Sequence, residues 1–180
     1  MRDFSGTPKT MSKTALIVAS DGSEDIELIV TSDILRRANV NVTIAGLQDA
    51  EKITLARDAV LSVDKPFKDV ADQDFDAVII PGGPGHKNAA EDKRVGEILK
   101  RHEEEREADR GDLRGPRRSE GARHRSGRHA TAYSEENVVV HNNQVVTSRG
   151  PGTAFEFALK IVELLAGNEV ASNVRQAVLL

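Results

Sequence analysis

The chain of 180 residues contains no cysteine, no tryptophan and one tyrosine, and only 3% of it is aromatic. Without cysteine there is no disulfide, no thiolate metal site and no thiol nucleophile. With so few aromatic rings there is no platform on which nucleic-acid bases could stack. No apolar run approaches the roughly 20 residues of a spanning helix, so no membrane segment is expected. The formal net charge of -4 offers no general attraction to nucleic acid or anionic lipid. The five histidines show no metal-ligand spacing, and no metal is expected. What remains is enough chain for one domain with a real core, and a soluble, cytoplasmic protein is the expectation. At 30% charged residues and a mean hydropathy of -0.41, it is nonetheless polar for a globular domain.

The polar excess has an address. Residues 101–130 hold nine of the sixteen arginines, three of the five histidines and none of the nine lysines. The apolar residues there are Ala108, Leu113, Ala122 and Ala130, too few for a 3.6-residue or an alternating period, so no core-facing helix or strand is expected. Ahead of the first apolar run, residues 1–11 read as a disordered lead without the apolar region of a secretory signal; Met11 is an alternative start.

Elsewhere the pattern alternates between strand and helix. Thr14 to Ala19 is a continuous apolar run suited to a buried parallel strand, followed by the turn Ser20-Asp21-Gly22-Ser23. Ser23 is a candidate N-cap for a helix whose apolar stripe is Ile26, Ile29, Val30, Ile34 and Leu35, ending at Asn39. Val40 to Ala45 completes a βαβ unit, expected to be right-handed. Ile53 to Leu55 and Ala59 to Val63 suggest an antiparallel excursion, Asp76 to Ile80 another buried strand, and Val95 to Lys100 a helix. Val138 to Val140 and Gln144 to Thr147 flank His141-Asn142-Asn143 as a hairpin. A long helix follows from Ala154 to Ala166, closed by Gly167. This order predicts an α/β doubly wound sheet with helices on both faces.

Two features carry chemistry. Gly82-Gly83 directly follows a buried strand, at the sheet edge where open α/β folds place ligands, and its amides suit an oxyanion hole or a plain turn equally. The fingerprints of dinucleotide and phosphate loops are absent from it. Glu24 and Asp25 suit a helix N-terminus. Glu27, beside the apolar stripe, is placed to be turned inward and held neutral by desolvation, as a general acid or thiolate partner must be. Arg57, Arg149 and the pair Arg36-Arg37 are candidates for a carboxylate or an interface, though exposure at a helix end accounts for the pair. His124 and His129 lie in the arginine-rich stretch and carry little as ligands.

A resemblance sharpens this. Ser12-Lys13 through Gly22, Glu24-Asp25-Ile26-Glu27, Leu35-Arg36-Arg37-Ala38, Val42 to Gly46, Arg57-Asp58, Pro81-Gly82-Gly83, Tyr133 to Asn137 and above all Thr147-Ser148-Arg149-Gly150-Pro151-Gly152-Thr153-Ala154-Phe155-Glu156 resemble the Parkinsonism-associated protein deglycase branch of the ThiJ/PfpI superfamily. The resemblance spans about residues 12–100 and 133–179. It implies a flavodoxin-like sandwich, a homodimer formed partly through the first helix, no cofactor, and cytoplasmic, nuclear or mitochondrial residence. It also implies a cysteine at a strand-to-helix elbow that attacks methylglyoxal or its glycated adducts and senses oxidative stress. By position the proton-trading glutamate is Glu27, the oxyanion amides are those of Gly82 and Gly83, and Arg57 and Arg149 line the pocket.

The chain departs from that pattern at residues 106–131, an arginine-rich insert within a domain of residues 12–180. The elbow, with its Ala-Ile-Cys-Ala-Gly-Pro motif, belongs near Leu113 and Arg114. When the codons of Asp109 to Arg125 are read from their second base, they are compatible with Ile-Gly-Ala-Ile-Cys-Ala-Gly-Pro-Ala-Ala-Leu-Lys-Ala-His-Gly-Ile-Gly. Residues 107–130 therefore read as a shifted frame, which transcript sequencing checks directly. A fold lacking its elbow strand and helix is expected to be incomplete and marginal as a dimer, and the enzyme inactive. The alternative is a non-catalytic chaperone, partner-binding or RNA-binding protein. Seven acids among the nine arginines of residues 101–130 make RNA binding weak.

Overall fold

In the computed structural model, which describes residues 12–111, 139–142 and 145–180, the run TALIVA is strand β1 (Thr14–Ala19). It pairs in parallel with β2 (Asn41–Gly46) on one side and with β6 (Ala77–Ile79) on the other. β5 (Lys65–Pro66) extends the sheet beyond β2, giving the order β5-β2-β1-β6. β3 (Lys52–Thr54) and β4 (Val60–Ser62) form the expected antiparallel excursion. The strand alternation of side chains assigns the core to two faces. Ala15, Ile17, Val42, Ile44 and Ile79 point to one; Leu16, Val18, Ala45 and Leu47 point to the other.

Helix α1 (Asp25–Arg37) covers the first face together with α4 (Ala154–Ala166) and α5 (Asn168–Ala177). The opposite face is covered by Ala89 of α2 (His86–Glu91) and by Val95 and Ile98 of α3 (Lys93–Gly111), with Phe67 and Val70. This is the doubly wound α/β arrangement expected from the sequence.

Several local expectations are corrected. The N-cap of α1 is Glu24, whose carboxylate accepts the Glu27 amide at 2.8 Å; the Ser23 hydroxyl accepts the Ser20 amide at 3.0 Å instead. The buried face of α1 is Leu28, Thr31, Ser32, Ile34 and Leu35, while Ile26 and Ile29 stand exposed at 48% and 43%. Thr31 and Ser32 are buried although polar, and the Ser32 hydroxyl donates to the Ile29 carbonyl at 2.9 Å. α3 continues through Gly111, past the expected end at Lys100, with Arg101 donating to the carbonyls of Ala71 and Gln73. His141 and Asn142 belong to β7 (Val139–Asn142), paired antiparallel with β8 (Val145–Ser148), and are not the hairpin turn. α2 and α5 were not expected. Residues 1–11, the expected cysteine position at Leu113 and Arg114, His124, His129 and the Tyr133 to Asn137 block lie outside the described residues.

Candidate functional site

β1 sits where the strand order reverses, with β2 on one side and β6 on the other. The loops leaving β1 and β6 diverge there, opening the crevice in which such sheets bind ligands. Two close crossings hold these loops together. The Glu24 amide donates to the Gly82 carbonyl at 2.9 Å, and the Gly85 amide to the Gly22 carbonyl at 2.9 Å. Gly83 adopts φ of 78°, and a Cβ on it would stand 2.6 Å from the Gly22 carbonyl oxygen. No side chain fits there without moving backbone.

Glu27 lies in the first turn of α1 and reaches across to this loop. Its Oε2 accepts the Gly82 amide at 2.6 Å, and a Cβ on Gly82 would lie 2.7 Å from the same oxygen. Burial pushes the Glu27 carboxyl above its ordinary range; the Gly82 N–H opposes this, and the Glu24 charge adds to it. Of the two oxyanion amides suggested by sequence, that of Gly82 is thus held by Glu27, while that of Gly83 has no acceptor among the described residues.

A cavity of about 560 Å³ opens above these groups. It is lined by every site residue carried over from the resemblance: Glu27, Gly82, Gly83, Arg57 and Arg149. Arg57 follows β3 on an exposed turn whose amide donates to Asp25 Oδ2 at 2.9 Å. Arg149 follows β8 at an exposed bend that leads through Gly150 to the 3-10 turn Pro151–Thr153 and into α4. The Thr153 hydroxyl donates to the Gly150 carbonyl at 2.9 Å and also bonds the Ser148 hydroxyl, fixing that bend. Arg36 and Arg37 take no part: they pair with Asp64 at 3.0 Å and Asp33 at 2.7 Å on the surface.

Sequence reasoning missed two polar lining residues. Thr31 stands four residues after Glu27, on the same face of α1, and its hydroxyl is buried with no hydrogen-bond partner among the described residues. The i to i+4 spacing was the available signal. His86 opens α2, with Nδ1 2.7 Å from the Gly83 carbonyl, which assigns the ring proton to that nitrogen.

The arrangement is an acid, a glycine turn and two arginines around one crevice, and comparison with known proteins places it. Residues 13–108 and 122–164 match the model of the DJ-1/PfpI family. The chain belongs to the DJ-1/PfpI family. It is 37% identical to Protein dj-1beta of Drosophila melanogaster over 185 residues, covering 94% of this chain and 98% of the relative. It is 39% identical to the glutathione-independent glyoxalase DJR-1.2 of Caenorhabditis elegans, covering 89% and 93%. The crystal structure of Drosophila melanogaster DJ-1beta superposes with a TM-score of 0.77 at 31% identity, over 94% of this chain and 99% of that one. The flavodoxin-like α/β fold of the DJ-1/PfpI family is therefore the fold of this chain. Residues 109–121 fall between the two stretches that the family model matches.

Proposed function

We propose that this DJ-1/PfpI chain keeps the pocket of a glyoxalase or deglycase without its nucleophile, and so binds small carbonyl compounds without turning them over. The observation that carries this reading is the absence of any thiol in a chain whose Glu27 is otherwise poised, bonded to Gly82 at 2.6 Å in a crevice open to solvent. In the mechanism implied by the resemblance, a thiolate adds to the aldehyde carbon of methylglyoxal. The glutamate moves the proton, and backbone amides hold the oxyanion. Here Glu27 supplies the proton-transfer group and Gly83 an amide without an acceptor among the described residues, but no thiol is present to make the covalent bond. Redox sensing that depends on the same thiol is likewise lost. A relative named a glutathione-independent glyoxalase supports methylglyoxal as the test compound.

The same reading includes a homodimer through α1. Exposed Ile26 and Ile29 on that helix support it, because an apolar pair beside the pocket is suited to a partner surface.

The test follows methylglyoxal and lactate by proton NMR with the purified full chain. Lactate forms no faster than in buffer. Lactate formation that Glu27→Gln abolishes contradicts the proposal.

A further inference from the structure

We infer that the crevice is a receptor for a 2-oxo carboxylate with an apolar tail, an anion rather than the neutral dicarbonyl of the family's chemistry. The inference shares the binding pocket of the proposed function but needs no turnover.

Charge is the first argument. Arg57 and Arg149 both line the cavity, and neither forms an ion pair among the described residues. Among the described residues Arg57 donates through its side chain only to the Ala56 carbonyl, at 3.2 Å. The nearby acids keep their charge but hold main-chain amides, Glu24 that of Glu27 and Asp25 that of Arg57, and neither forms an ion pair with a guanidinium among the described residues. Two guanidiniums without an ion-pair partner at one crevice hold donor pairs that a ligand carboxylate takes up in short charge-assisted hydrogen bonds and a neutral aldehyde does not.

Thr31 supplies the second. It is 1% exposed, it lines the same cavity, and its hydroxyl has no partner among the described residues. A buried hydroxyl left without a hydrogen bond is costly, and a ligand oxygen removes that cost. The Gly83 amide is a second unused donor at the same wall. Donors beyond the carboxylate anchors call for another acceptor on the ligand, and the oxo group next to a carboxylate provides it.

Volume and lining set the rest of the molecule. About 560 Å³ is several times what a three-carbon compound fills, and Ile79, Ile80, Ala154 and Phe157 make part of the wall apolar. A branched aliphatic or aromatic tail fits that wall.

The test titrates the full-length protein with 4-methyl-2-oxopentanoate, following amide chemical shifts by NMR. Four comparisons accompany it: its neutral amide, 4-methylpentanoate, pyruvate and methylglyoxal. The oxo acid binds at least about tenfold more tightly than its amide, than 4-methylpentanoate and than pyruvate, a difference of about 1.4 kcal/mol each. Arg57→Met and Arg149→Met, both at exposed positions, each weaken the oxo acid several-fold and leave the amide unchanged. Thr31→Val abolishes the preference for the oxo acid over 4-methylpentanoate, and Thr31→Ser, which keeps the hydroxyl, retains it. Equal binding of acid and amide, or binding insensitive to both arginine variants, overturns the inference and leaves the proposed lack of turnover standing. Lactate formed from methylglyoxal does the reverse.

Discussion

Glu27 shows how one side chain ties fold to chemistry. Its folded-state pKa stands above the ordinary glutamate value of about 4.3, chiefly through burial. The folded protein therefore holds that proton more tightly than the unfolded chain, and ionisation costs stability. The cost is absent below the unfolded pKa, grows as pH rises toward the folded pKa, and is constant above it. Glu27→Gln removes this dependence, so denaturant unfolding from pH 4 to 7 shows the variant gaining stability relative to the parent as pH increases. Asp76 has the opposite sign. Burial pushes its carboxyl up, but the Lys13 ammonium at 2.7 Å and the Thr14 amide at 2.9 Å outweigh it and hold it below the usual range. Its stabilisation is present above the ordinary aspartate pKa and lost as pH falls through the folded value. Asp76→Asn costs on the order of 1 kcal/mol at pH 7 in the same assay, and the gap closes in acid. Gly83→Ala tests the loop crossing: with φ of 78° and a Cβ 2.6 Å from the Gly22 oxygen, it lowers stability by more than about 1 kcal/mol. A melting temperature equal to the parent's contradicts the role given to that glycine.

Among the elements, α1 does two jobs on two faces. Leu28 is fully buried between the sheet and α4, so Leu28→Ala leaves a cavity and costs about 2–5 kcal/mol by denaturant unfolding. Ile29 faces outward, and Ile29→Glu changes monomer stability by less than about 0.5 kcal/mol. If α1 is the dimer helix, that variant sediments as a monomer where the parent sediments as a dimer; unchanged sedimentation removes α1 from the interface. The elements that sequence revealed were those with an apolar signature: the run of β1, the alternation of β3 and β4, and the long stripe of α4 ended by Gly167. The stripe of α1 holds in its second half, where Ile34 and Leu35 are buried and Val30 packs against the core, and fails at Ile26 and Ile29, which are exposed. Thr31 and Ser32 are buried in their place, polar residues that a hydrophobicity pattern does not assign to a core face. α3 was cut short because a periodicity reading cannot see a helix that shows no apolar stripe, and residues 101–111 carry mostly charges. α5 did carry a legible signal, Val170, Val174 and the C-cap Val178 at four-residue spacing, which the sequence reading passed over. For the site, Glu27 and the glycines were legible, since an acid after β1 and a Gly-Gly after β6 both map to the sheet's carboxyl edge. Thr31 was open to view through its i to i+4 spacing from Glu27 but was passed over as a polar residue on a helix, and His86 was not legible, because its place at the site arises only when the loop after β6 meets α1.

For the whole molecule, the described sheet has the architecture of the DJ-1/PfpI family, and the crevice at its strand-order reversal gathers the acid, the amides and the arginines. No residue of the chain supplies a thiol. No helix of the described residues is long and apolar enough to cross a membrane. We propose that the low hydropathy and the missing cysteine share one source, residues 106–131, where a shifted reading of the codons spells the family's elbow motif with its cysteine. The most direct test replaces residues 109–125 by that seventeen-residue shifted reading, which sets cysteine in place of Leu113, and measures methylglyoxal loss. A matched chain with alanine at that position is the control. The account predicts a rate above the parent's that requires both the new cysteine and Glu27. A folded replacement that reacts no faster than its alanine control, or a parent chain that already matches it, contradicts the account.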